Sequence, residues 1–467
     1  MQTYFHKYFP QTPTTQQEVV FQKMEAFLRS GDPFDCFLLK GYAGTGKTSL
    51  IRSFVRSLPH FKMRTCLLAP TGRAAKVMRK YTNQQAYTIH KKIYRKKNAA
   101  TPEMEFGLAE NKHSNTLFIV DEASMISDNT LFFNKHGLLS DLIQYVYSGS
   151  RCRLMLVGDT AQLPPVGVSE SPALNAEVLL GSHGLKVHEV ELTQVVRQDK
   201  NSGILYNATQ LREQIRMEIG GYPKMHTTGF PDIYRMRGEQ LLEGLNYAYD
   251  KYGMEQVLVV CRSNKNANLY NQHIRNRILW REEELSGGDH IMVVKNNYHW
   301  KQSSGQQVDF IANGEMAKVR RVGNVHEQHG FHFADVSLEW QDEENEPLDC
   351  RVLLDTLHTD APGLSQADAL RLYKAVEADY AHIPRKKERL EAIKKDAYYN
   401  ALHIKFAMAV TCHKAQGGQW EAVFVDQGYL TSELLDTDFL RWLYTALTRA
   451  TRELYLVNFH KNFFYEV

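Results

Sequence analysis

An α/β fold built on parallel sheets is the class this sequence predicts, on three observations. First, four short apolar runs, FLLK (37–40), TCLLAP (65–70), TLFIVDE (116–122) and RLMLVGD (153–159), end in polar or turn-forming residues. A helix-like stretch follows most of them, an alternation that makes the strands parallel and puts working residues at their C-terminal ends. Second, the rhythm restarts near Leu192, most clearly in EQVLVVCRSNKNANLYNQHIRNRIL, a strand at 257–261 and then a helix. Third, the loop GYAGTGKTSL (41–50) stands between the first apolar run and the helical IRSFVRSL.

Taken in order, residues 1–192 form the first α/β domain, interrupted at about 93–113 by IYRKKNAATPEMEFGLAENKHSN, which breaks the alternation. Residues 193–285 begin a second α/β domain. From about Gly287 the texture changes to alternating strands with turn residues every ten or so positions, as in GGDHIMVVKNNY, FIANGEMAKVRRVG and HGFHFADVSLEW. That pattern predicts a small β-barrel over 286–362. A helical arm follows over 363–402. Ser365 with Asp368 makes a capping box at its start, and Pro384 divides it into two helices. The α/β rhythm resumes with HIKFAMAVTCHKAQG and WEAVFVD, so 403–467 completes the second domain.

The 467 residues suffice for several domains, and the formal net charge is only +3. Any nucleic-acid site must therefore be a local groove, since the global field is weak. Six cysteines are scattered without a C-x-x-C pair, which argues against a zinc ribbon or disulfide framework and suits a reducing cytosol. The opening MQTYFHKYFPQTPT lacks the apolar core of a signal peptide. No apolar run approaches the about 20 residues that cross a bilayer. A soluble cytoplasmic protein without membrane contact is expected.

Gly41, Gly46, Lys47 and Thr48 satisfy G-x-x-x-x-G-K-[ST]. Backbone N–H groups can curl around a phosphate chain only where side chains do not intrude, and the following helix adds its own free N–H groups. Lys47 is then placed for the β/γ-phosphates and the Thr48 hydroxyl for Mg²⁺. The rest of the loop, Ala43, Gly44, Thr45 and Ser49, lines the same nucleotide site. At the end of FIVDEASMI, Asp121 suits the Mg²⁺ shell and Glu122 the polarisation of an attacking water. In LMLVGDTAQLPPVG, Gln162 is a candidate reporter of the γ-phosphate, beside Asp159 and the rigid Pro164–Pro165. Arg197 and Arg449 are candidate fingers from the second domain, permanently charged and forked for phosphate oxygens. His326, His329 and His332 invite a metal reading, but they straddle a hairpin turn at Gly330 with no Cys or carboxylate set at ligand spacing.

The order of GYAGTGKT, LLAPTGRAAK, AYTIHK, FIVDEASM, VGDTAQLPPVG, LTQVVRQ, AVTCHKAQGG and YTALTRA resembles that of the superfamily-1 DNA helicases. It is most similar to their group B, the RecD/Dda-like 5′→3′ branch, over nearly the whole chain. The resemblance implies two RecA-like motor domains with ATP and Mg²⁺ in the cleft, single-stranded DNA across both, and an SH3-like barrel inserted in the second. It implies Gln17 at the adenine edge, with Gly417 and Gln419 also on the nucleotide. It places Pro70, Thr71, Thr88, His90, Thr411, His413 and Lys414 on DNA, and makes 93–113 a duplex-splitting pin with Phe106 as a stacking tip. Ala415 and Gln419 depart from the Ser and Glu common in relatives. An ATP-driven helicase acting as a monomer at single-strand/duplex junctions is the implied function, with replication or recombination proteins as candidate partners. A protein-displacing or RNA-remodelling translocase and an ATP-dependent switch or loading factor are the alternatives.

Overall fold

The computed structural model describes residues 4–96, 106–128, 137–196, 201–300, 311–340, 347–361 and 363–465. Its strands are, in chain order, β1 Asp35–Gly41, β2 Arg64–Ala69, β3 Ala86–Thr88, β4 Tyr94–Lys96, β5 Phe106–Leu108, β6 Thr116–Val120, β7 Arg153–Gly158 and β8 Lys186–Leu192. Beyond these come β9 Ile233–Met236, β10 Val257–Cys261, β11 His290–Val293, β12 Met316–Gln328, β13 Phe331–Trp340, β14 Leu348–Leu353 and β15 Leu402–Phe406. The last three are β16 Ala409–Thr411, β17 Trp420–Asp426 and β18 Ala450–Val457.

The first sheet runs β3-β2-β6-β7-β1-β8, with every pair parallel. Its strands are apolar on both faces because helices cover both. Phe37 and Leu39 pack with Phe21, Met24, Leu50 and Phe54, from the helices Thr15–Arg29 and Lys47–Ser57. Cys36 and Leu38 face the other way, onto Leu139, Leu142 and Val146 of Leu138–Tyr147. In this order β6, β7 and β1 are neighbours, so the residues leaving their C-terminal ends arrive at one edge. The insertion near 93–113 carries a short antiparallel pair, β4 with β5. Residues 97–105 and the Phe106 side chain lie outside the described residues, and with them the expected stacking tip.

The second sheet runs β16-β10-β17-β18-β9, again parallel. Between its halves stands a closed barrel, β11-β12-β13-β14-β15. One assignment is corrected here. HIKF (403–406), read as the restart of the second sheet, belongs to β15, which pairs antiparallel with β11 and parallel with β14 to close the barrel. The change to the second sheet comes three residues later, at β16. Barrel and second sheet share a core, with Ile291, Val319, Leu338 and Ile404 packed together with Val259, Ala422 and Phe424.

The arm forms as two helices, Gln366–Asp379 and Lys386–Lys395, on either side of Pro384. Ser365 caps the first, its hydroxyl accepting from the Asp368 N–H at 3.1 Å. Leu372, Val376 and Ile393 press on Phe331, Phe333 and Leu353, so the arm braces the long β12–β13 hairpin. The three histidines of that hairpin go to separate partners. His326 meets the Tyr398 hydroxyl at 3.2 Å, His329 pairs with Asp379 at 3.3 Å and His332 with Asp355 at 3.8 Å. No helix among the described residues is long and apolar enough to cross a membrane.

Asp289, fully buried at the barrel's entry, ties it to the second domain. It lies 3.1 Å from Arg275, on the helix Asn264–Arg277, and 2.5 Å from Arg281, and accepts from the Ser286 N–H at 2.8 Å. Removing one member of such a cluster leaves buried charge without compensation. Asp289→Ala is expected to destabilise the fold by about 3–5 kcal/mol, read by urea unfolding. A loss below about 1 kcal/mol would show the cluster to be dispensable.

Candidate functional site: the cleft between the two sheets

The phosphate loop leaves β1 and turns into Lys47–Ser57 through Gly46, whose φ of 88° is open to glycine. A Cβ there would also meet the Gln17 amide nitrogen at 2.6 Å. Thr45 is buried and its hydroxyl donates to the Tyr42 carbonyl at 2.8 Å. The Lys47 ammonium donates to the carbonyls of Gly41 and Tyr42 at 2.6 and 2.9 Å, which holds the cation over the loop. Thr48 is exposed at the first turn and Ser49 half-buried beside it. Val196 donates its N–H to the Gly44 carbonyl at 2.9 Å, so the chain returns from β8 to this loop. Arg197 is the next residue and lies outside the described residues.

From β6, Asp121 accepts from the Tyr81 hydroxyl at 2.7 Å and from the Glu122 N–H at 2.9 Å. Each carboxylate oxygen retains acceptor capacity, and carboxylate and hydroxyl oxygens are the donors Mg²⁺ takes, so Asp121 and Thr48 fit that ion. Glu122 has φ of 54°, a left-handed backbone uncommon for a residue with a side chain and characteristic of working sites. Burial raises its pKa, and the Arg449 guanidinium is the strongest opposing influence. Asp121 raises it further, Lys47 lowers it, and Asp159 at the end of β7 raises it. The two domains therefore meet electrostatically at this carboxyl.

Arg449 is 4% exposed and belongs to the turn between the helix Thr437–Leu447 and β18. Its guanidinium is oriented by the carbonyls of Thr445 (3.0 Å) and Gly418 (3.2 Å). The same helix supplies Tyr444, which sequence reasoning missed although YTALTRA contains it. The Tyr444 hydroxyl accepts from the Ala43 N–H at 2.9 Å and donates to Asp159 at 2.7 Å. Tyr81 and Gln416 were missed too. A lone tyrosine or glutamine carries no local sign of a partner far along the chain.

Gln17 and Gln162 both stand in buried surroundings. Gln17, expected at an adenine edge, is 1% exposed and braces the phosphate loop. Its amide oxygen accepts from the Thr14 N–H at 3.0 Å in a capping box, and its nitrogen donates to the Thr45 carbonyl at 3.2 Å. Gln162, expected to face the γ-phosphate, lines a cavity of about 420 Å³ with Ser124 and Arg441, and none of residues 41–49 borders it. Its amide oxygen and the Ser124 hydroxyl are buried without a partner among the described residues.

The expected DNA contacts gather at the strand ends of both sheets. Pro70 and Thr71 follow β2, and Thr88 ends β3, with Ala69 opposite Thr88. Thr71 and Thr88 cap the next helices, accepting from the N–H groups of Ala74 and Lys91, each at 3.2 Å. Burial lowers the His90 pKa to about 4, so the ring is neutral near pH 7. Thr411 ends β16 beside Cys261 of β10. Burial lowers the His413 and Lys414 pKa values, and Lys414 reaches Asn313 in the barrel's first turn. Gly417 crosses the seam. A Cβ there would meet Ala74 at 2.9 Å and the Thr71 hydroxyl at 3.1 Å. The Gln419 carbonyl lies 3.4 Å from Arg73, whose guanidinium covers Trp420 at 3.7 Å.

Residues 15–224 match the family model described as AAA domain, and 406–457 match the UvrD-like helicase C-terminal domain. The ATP-dependent RecD2 DNA helicase of Deinococcus radiodurans is 29% identical over 316 residues, 64% of this chain and 40% of that protein. The ATP-dependent DNA helicase dda of Enterobacteria phage T4 is 26% identical over 294 residues, 60% of this chain and 62% of that one. The chain is similar to DNA helicases in both its AAA-domain and its UvrD-like C-terminal segments. The matched regions span less than two thirds of either named helicase. An uncharacterised protein of Acanthamoeba polyphaga mimivirus is 21% identical over 511 residues, covering 94% of this chain and 98% of that one. A solved structure of Pif1 helicase from Bacteroides with ADP-AlF3 and ssDNA has a TM-score of 0.47 at 14% identity, covering 97% of this chain and 95% of that one. The two family models bracket the barrel and the arm, which fall between residues 224 and 406.

Proposed function

We propose that the protein is an ATP-dependent DNA helicase that moves 5′→3′ along single-stranded DNA and separates duplex ahead of it. The observation that carries this reading is that the two sheets meet at the phosphate loop: Tyr444 of one domain bonds Ala43 and Asp159 of the other, with Lys47 and Arg449 both acting on the buried Glu122 carboxyl. Lys47 neutralises charge on the β/γ-phosphates. Glu122 takes a proton from the water that attacks the γ-phosphorus, as the bond to the β-phosphate oxygen breaks to leave ADP. Arg449, with Arg197 in the same role, offsets charge developing on the transferred group. Thr48 and Asp121 would hold Mg²⁺, which would supply Lewis-acid neutralisation of phosphate charge there.

Closure on ATP and opening after hydrolysis then move two DNA grips relative to each other. The first grip is Pro70, Thr71, Thr88 and His90, and the second is Thr411, His413 and Lys414. The Thr71–Gly417 approach supports this division, since it puts the grips on either side of one seam. With His90 neutral, that grip works through hydrogen bonding and stacking, while Lys414 supplies charge to a phosphate. Polarity rests on the family. Matched duplexes carrying a 5′ or a 3′ single-stranded tail test it, with ATP-dependent strand separation expected only for the 5′ tail. Separation of the 3′-tailed substrate alone would reverse the polarity. DNA-stimulated turnover with neither duplex separated would leave a translocase.

A further inference from the structure

The helix Thr437–Leu447 does more than present Arg449. Four of its hydrogen bonds reach the first domain, and three of them, made by Tyr444 and Thr445, lie along one path. The Ala43 N–H is a donor, so the Tyr444 oxygen must accept there, and its single proton goes to Asp159. Burial raises the Tyr444 pKa well above its ordinary value, so this proton stays in place through the working pH range. Asp159 is itself fully buried, and its other oxygen accepts from the Ala161 N–H at 2.9 Å. The segment Asp159–Leu163 is thereby held at its start.

Two residues on, both backbone groups of Leu163 are taken by the second domain. Its N–H donates to the Thr445 hydroxyl at 2.9 Å, and its carbonyl accepts from the Gln416 amide at 2.7 Å. Gln416 directly follows the helix Cys412–Ala415, which carries His413 and Lys414. The path thus runs from a phosphate-loop N–H through Tyr444, Asp159 and Leu163 to the second DNA grip. Asp159 joins Leu163 through the backbone of 160–162; the other links are hydrogen bonds, part-buried at Ala43 and buried beyond it, where an unmade bond is costly.

Resting on the helicase reading above, we propose that Tyr444 is a positioning residue that couples the nucleotide site to DNA affinity. Its hydroxyl ties the phosphate loop to the Asp159–Leu163 segment. A shift of the loop on binding phosphate therefore moves that segment, and with it the register of Gln416 and the grip beyond. Tyr444 touches the loop and not the reacting atoms, so its removal weakens communication between sites more than either site alone.

The test measures binding of a fluorescent oligo-dT strand to the full chain by anisotropy, with and without ADP–aluminium fluoride and Mg²⁺. In the wild type the ratio of the two dissociation constants is expected to be at least about 5-fold, the lower end of ordinary coupling between sites. Tyr444→Phe keeps the ring and is expected to bring the ratio to within about 2-fold of unity. Thr445→Val, which breaks the Leu163 link without touching the phosphate loop, is expected to do the same. A wild-type ratio retained in either variant overturns the proposal. So does a Tyr444→Phe protein that no longer binds nucleotide, since Tyr444 would then belong to the binding site itself. A wild type in which nucleotide leaves DNA affinity unchanged would sink the helicase reading, and this inference with it.

Discussion

Arg449→Lys is expected to lower DNA-stimulated ATP turnover by about 10³-fold while ATP still binds. The arginine is set up for a fixed geometry. Carbonyls of Thr445 and Gly418 orient its guanidinium, and only 4% of the residue is exposed. Lysine keeps one charge but cannot hold those two carbonyls and still fork onto a phosphate. A second readout separates catalysis from bracing. Arg449 is the strongest influence opposing the raised Glu122 pKa. A shorter, more mobile cation holds that carboxylate less well, so the acid limb of turnover moves to higher pH in the variant. Steady-state hydrolysis against pH, with saturating oligo-dT, checks both statements. Turnover within tenfold of wild type and an unmoved limb would reduce Arg449 to a bracket for the Gly418 loop.

The strand ends that carry the chemistry were legible because each is a local pattern. GYAGTGKT, FIVDE and LMLVGD each announce an apolar strand that stops in polar residues, and β1, β6 and β7 do stop there. The cap at Ser365 and the break at Pro384 were legible for the same reason. What a strand pairs with is not local. HIKF has the same apolar look in a parallel sheet and in a barrel wall, so β15 was given to the wrong sheet. Side-chain partners were harder still. Gln17 stands three residues after Thr14, the spacing of a capping box, but its bond to the Thr45 carbonyl across 28 positions is not written in that spacing. Tyr444 opens YTALTRA, and the sequence assigns it no role. Nothing in that string reports a carboxylate 285 positions earlier in the chain. Residues whose role lies within one loop can be read from sequence, whereas those acting across the cleft needed both domains in view.

Glu122→Gln is expected to slow hydrolysis by about 10²–10⁴-fold, with nucleotide still able to alter DNA affinity. An amide preserves the shape of the side chain but cannot take a proton from water. The electrostatics of the cleft add a directional test. Burial raises the Glu122 pKa, so the wild-type acid limb of kcat lies above the usual carboxylate value of about 4.3. As pH falls through that raised value the base becomes protonated and turnover is lost; the amide variant has no such limb. Stability moves the other way. Folded Glu122 holds its proton more tightly than the unfolded chain does. Between the unfolded and the raised folded pKa, stability therefore falls as pH rises, and the ionised group opposes folding at neutral pH. Glu122→Gln should then melt at the wild-type temperature or above it while being nearly inactive. A variant that both unfolds more easily and hydrolyses ATP at the normal rate would move the base elsewhere and make Glu122 a structural carboxylate.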